Sequence, residues 1–66
     1  MKQKNPGQFL TTSEVADRMR VTPGTVRRWR LDDVGPRFVH VGGIYRYPVR
    51  DLEEWIAERL QHSLVS

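Results

Sequence analysis

Apolar residues recur at helical spacing in three stretches of the chain, and two short β-branched and aromatic runs lie between the second and third. Val15, Ala16 and Met19 predict a first helix over about 12–19. Thr11 and Glu14 form a capping box at its start, and Leu10 is placed to pack on Val15 as a hydrophobic staple. So short a helix needs tertiary packing to persist. Thr22 is a good N-cap and Pro23 suits the first helical position, so a second helix runs from Pro23 to about Leu31. Gly35-Pro36 reads as the turn that stops it. Phe38 to Val41 and Ile44 to Tyr47 then flank Gly42-Gly43 as a hairpin. With a two-glycine loop, Phe38, His40, Tyr45 and Tyr47 share one face, and Val39, Val41, Ile44 and Arg46 the other. A bulge would reverse that parity, so which face turns inward stays open. Pro48 opens a third helix whose stripe is Val49, Leu52, Trp55, Ile56 and Leu60. This pattern divides the chain into a flexible N-terminal arm at 1–8, one domain at 9–62 and a frayed tail at 63–66.

Only about three residues separate the first two helices, so a tight turn sets one across the other, the helix-turn-helix geometry. At about 100° per residue, Val26 and Trp29 mark the buried side of the second helix. Gly24 and Arg28 lie opposite, flanked by Thr25 and Arg27. Core packing suits Trp29 better than base stacking. Arg30 falls at the core boundary and is expected to snorkel to solvent. Gly24 costs roughly 1 kcal/mol of helix propensity relative to alanine. It either lets the backbone approach a phosphate or base closely, or merely eases the first turn. Arg46 needs a partner if buried, with Asp17, Asp32 or a phosphate as candidates.

Charge changes the picture more than size does. The net charge is +3. Residues 18–50 hold eight arginines against Asp32 and Asp33, a local +6, whereas residues 51–59 hold four acids against Arg59, a local −3. Arginine's planar fork suits phosphates and guanine edges, so the basic middle predicts a polyanion-binding face. There are no cysteines, and His40 and His62 are too far apart to suggest a metal site. No metal or cofactor is expected, and a reducing, cytoplasmic setting is the natural reading. No apolar run approaches the roughly 20 residues of a membrane helix, and the polar N-terminus does not resemble a signal peptide. A chain of 66 residues leaves little room for a substrate cleft, and no nucleophile–base pair or carboxylate dyad is recognisable. A non-enzymatic binding module is expected.

Four segments carry a resemblance: Leu-Thr-Thr-Ser-Glu-Val-Ala from Leu10, Val-Thr-Pro-Gly-Thr-Val-Arg-Arg-Trp from Val21, Val-Gly-Gly-Ile-Tyr-Arg-Tyr-Pro from Val41, and Asp-Leu-Glu-Glu-Trp-Ile from Asp51. Together, over about 9–60, they resemble the phage excisionase family of recombination directionality factors, small MerR-like winged helix-turn-helix proteins. The resemblance implies an α+β, mostly helical fold with a two-stranded wing hairpin and a C-terminal helix. It places Thr25, Arg27 and Arg28, with Pro23 and Gly24, in the major groove of double-stranded DNA. It places Gly42, Gly43 and Arg46 at an adjacent minor groove or its phosphates. Thr12, Arg20 and Arg30 are expected at phosphates; His40 is either a plain strand residue or a further phosphate contact. Lys2 and Lys4 are candidates for backbone contacts through the arm. Members of the family bind several attachment-region sites, bend the DNA and steer a phage integrase toward excision.

The acidic third helix beside the basic middle suggests that copies of the chain associate head-to-tail on DNA and bind tandem sites cooperatively. The alternative within DNA binding is a small MerR-like transcriptional regulator. The lack of an effector-binding extension after the third helix is expected to disfavour ligand sensing. A protein-interaction module gripping a partner helix is the reading from a different class.

Overall fold

A computed structural model describes residues 8–65 of the chain. The elements are β1 (Phe9–Leu10), α1 (Thr12–Met19), α2 (Pro23–Leu31), β2 (Val39–Val41), β3 (Ile44–Pro48) and α3 (Val49–Val65). This is a helix-rich α+β winged helix-turn-helix. Its sheet has three strands, in the order β1-β3-β2, rather than the two expected of the wing alone. β1 pairs antiparallel with β3 through Phe9 with Pro48 and Leu10 with Tyr47. Two residues are too few to show alternation, so only tertiary pairing defines this strand.

The helix starts follow from side chains adjacent in sequence. Thr11 Oγ1 accepts from Glu14 N at 3.1 Å, and Glu14 Oε1 accepts from Thr11 N at 2.8 Å. Thr22 Oγ1 accepts from Thr25 N at 3.2 Å, ahead of Pro23 in the first turn. The helix ends are less obvious. Val21 N donates to Ala16 O and Arg20 N to Asp17 O, with Arg20 left-handed at φ 59°. Val34 N donates to Trp29 O and Asp33 N to Arg30 O, with Asp33 at φ 58°. Both are Schellman closures with a non-glycine residue where glycine is usual. Asp33, and not Gly35-Pro36, therefore terminates α2. Gly35 makes the next bend at φ +87°, where a Cβ would lie 2.9 Å from Trp29 Cβ, so both backbone and packing require glycine.

The hairpin closes on Gly42-Gly43, with Val41 opposite Ile44, His40 opposite Tyr45 and Val39 opposite Arg46. Positive φ at both glycines (54° and 80°) is the type I′ signature that matches strand twist. The register fixes the open parity: the Tyr45 and Tyr47 face turns inward, and Tyr47 is 1% exposed. Pro48 belongs to β3 rather than opening α3. Val49 N donates to Gln8 O at 3.0 Å, so the ladder runs into the helix without a break. The helix continues through Val65, into the stretch expected to fray. Lys2, Lys4 and most of the expected arm lie outside the described residues, as does Ser66.

Val15, Ala16, Val26, Tyr47 and Leu52 form the buried centre, drawn from α1, α2, β3 and α3. Leu10, Met19, Val21, Trp29, Trp55 and Ile56 pack around it. Trp29 meets Trp55 at 5.5 Å between ring centroids, which fixes it as a packing residue. Leu60, expected on the apolar stripe, is 60% exposed. Arg18 of α1 approaches Glu53 of α3 at 3.8 Å, an exposed pair that adds little.

Candidate nucleic-acid interface

The second helix divides its arginines. Arg27 and Arg28 are exposed, as are Pro23 and Gly24. Arg28 Nε lies 3.6 Å from Asp32 Oδ2, a solvent-facing i,i+4 pair that another anion can displace at small cost. Thr25 is half-buried, and its hydroxyl lies 3.0 Å from that of Thr22, so the cap already engages it.

Arg30 behaves differently from expectation. Its Nη1 donates to Thr12 Oγ1 and to Tyr47 Oη, both at 2.9 Å. Its guanidinium carbon lies 3.8 Å from the centroid of the Tyr45 ring. A buried tyrosine hydroxyl needs a partner, and Arg30 supplies it. So Arg30 joins α1, α2 and β3 instead of snorkelling freely, and Thr12 is its acceptor.

Gly24 can be judged on space. A Cβ there would meet Arg27 Nη2 at 3.7 Å and Thr22 Oγ1 at 3.8 Å, ordinary contacts. Gly24 also has no left-handed φ, so nothing within the fold demands a glycine. Arg20 is exposed at the α1–α2 turn.

The wing stands beside α2. Between them is a groove of about 340 Å³ lined by Arg27, Arg30, Leu31, Phe38, His40 and Tyr45. The His40 ring stacks on Tyr45 at 4.1 Å and 8°. Arg46 is exposed and donates to Tyr45 O at 2.8 Å. It makes no ion pair with Asp17, Asp32 or any other described carboxylate. The aromatic support from Tyr45 and Tyr47 was not singled out from sequence, because the inward face of the hairpin was open until the register was known.

An exposed cationic helix following a tight turn, with a glycine-tipped wing alongside, defines the class as a winged helix-turn-helix DNA-binding domain. The chain belongs to the helix-turn-helix domain family, whose model matches residues 9–60. No curated protein and no solved structure matches it. Among the described residues, no helix is long and apolar enough to cross a membrane.

Proposed function

We propose that the chain is a non-enzymatic, sequence-specific excisionase that binds tandem attachment-region sites, bends the DNA and directs a phage integrase toward excision. The observation that carries the DNA-reading part is the exposed face of α2, where Arg27 and Arg28 stand free of the core beside a glycine the fold does not require. In this reading Arg28 and Arg27 reach base edges, the backbone at Gly24 comes close to the duplex, and Arg20 takes a phosphate. The four-segment resemblance to excisionases supports the recombination role. Cooperative head-to-tail binding draws support from α3, where Glu54 and Glu58 are exposed beside a 300 Å³ hollow also lined by Asp51 and Arg37.

The direct test is excision in vitro with a phage integrase and its attachment-site DNA, with and without this protein. Excision that depends on the protein is the expected result; DNA binding with no effect on excision favours the transcriptional alternative. Several phosphate contacts predict a log–log salt slope of about −4 to −6, near −0.9 per contact. Salt-independent binding would remove the electrostatic reading. Footprints that fill adjacent sites independently would remove the cooperative one.

A further inference from the structure

The outer end of the wing is apolar, and the fold does not use it. Val41 is 67% exposed and Ile44 52% exposed. They face each other across the hairpin, close enough to form one continuous knob. Beyond them the tip carries no side chain, and nothing lies within 4 Å of where a Cβ would stand on Gly42 or Gly43. One pair further back on the same face come Val39, 41% exposed, and Arg46, which has no ion-pair partner among the described residues. Strand propensity alone accounts for β-branched residues here. It does not account for an apolar end on a thin projection whose root is cationic.

We propose that Val41 and Ile44 form an apolar wedge that enters the minor groove of duplex DNA and partly unstacks a base step, while Arg46 holds the flanking phosphate. The inference rests on the DNA-binding reading above. The side-chain-free tip suits a groove about 6 Å wide. Apolar side chains flanked by cations are the chemistry that unstacks a step and kinks the duplex. Pyrimidine–purine steps such as TA yield most easily, so the wedge confers a preference at a position where no hydrogen bond reads the base.

The test compares the full chain with Val41→Thr/Ile44→Thr, which keeps β-branching and exposure; circular dichroism checks that it folds. The probes are two 24-base-pair duplexes, one A·T-rich with 2-aminopurine at a central TA step, the other the same with a central A-tract. The wild type is expected to bind the TA duplex more tightly and raise its 2-aminopurine fluorescence. The double variant loses the fluorescence rise and the preference, with affinity for the TA duplex reduced about tenfold. Its salt slope stays that of the wild type, because an apolar contact releases no counterions. Equal affinity, fluorescence and preference in wild type and variant would overturn the wedge while leaving DNA binding intact. A wild type that binds neither duplex, at any salt, would overturn the DNA-binding reading and the wedge with it.

Discussion

Arg28 and Arg30 sit two residues apart on the same helix and are held in opposite ways. Arg28 is exposed and touches only a neighbouring carboxylate across solvent. Arg30 is half-buried, donates to two hydroxyls from distant elements and lies over an aromatic ring. Two residues turn a helix by about 200°, so one arginine faces outward while the other faces the wing. Local charge density places both in a basic region, but rotation about the helix axis separates an outward-facing arginine from a structural one.

The largest effect should come from Arg30→Ala. Removing a charged donor from a buried tyrosine hydroxyl should cost about 3 kcal/mol of stability. That is most of what so small a core supplies, and urea denaturation would register it as a collapse of the midpoint. Arg28→Ala should leave stability within about 0.5 kcal/mol yet cost about 1–3 kcal/mol of DNA affinity and relax preference at one base position. Fluorescence anisotropy on a set of single-substitution duplexes separates these outcomes; a uniform loss across all of them would reduce Arg28 to a phosphate contact. Gly24→Ala should split the same way on a smaller scale. The helix gains up to about 1 kcal/mol, seen as a higher melting temperature, while DNA binding weakens several-fold. Equal or tighter binding would show that the backbone does not approach the duplex there. The smallest effect is expected of Asp32→Asn, which frees Arg28 and removes a negative charge. Affinity should rise about twofold, in keeping with an exposed pair worth a few tenths of a kcal/mol, and titration at several salt concentrations should show the gain fading as salt rises.

What could be read from sequence follows the range of the interactions. The starts of α1 and α2 were legible because Thr11 with Glu14, and Thr22 with Pro23, act within one turn of themselves. The hairpin was legible from Gly42-Gly43. The closures at Arg20 and Asp33 were not, since neither residue is the glycine that usually marks a left-handed cap. β1 is defined only by its pairing with β3. Pro48 carries the same helix-starting signal as Pro23, but β1 holds it in the ladder, so α3 begins one residue later. The junction made by Arg30 is hidden from local pattern for the same reason. Thr12 and Tyr47, its two acceptors, lie 18 and 17 residues away, and no local pattern reports them. The exposure of Arg27 and Arg28 did follow from the helical projection, because Val26 and Trp29 orient α2.

The junction at Arg30 also fixes a length. One guanidinium ties the first helix, the second helix and the root of the wing, so the outward face of α2 and the glycine tip form the two jaws of a single caliper. A caliper with a set opening measures whatever lies between its jaws. In the proposed complex, duplex DNA, whose groove width varies with sequence, would be the compliant member of the pair, and segments that match the opening with least distortion would be favoured before any base is touched.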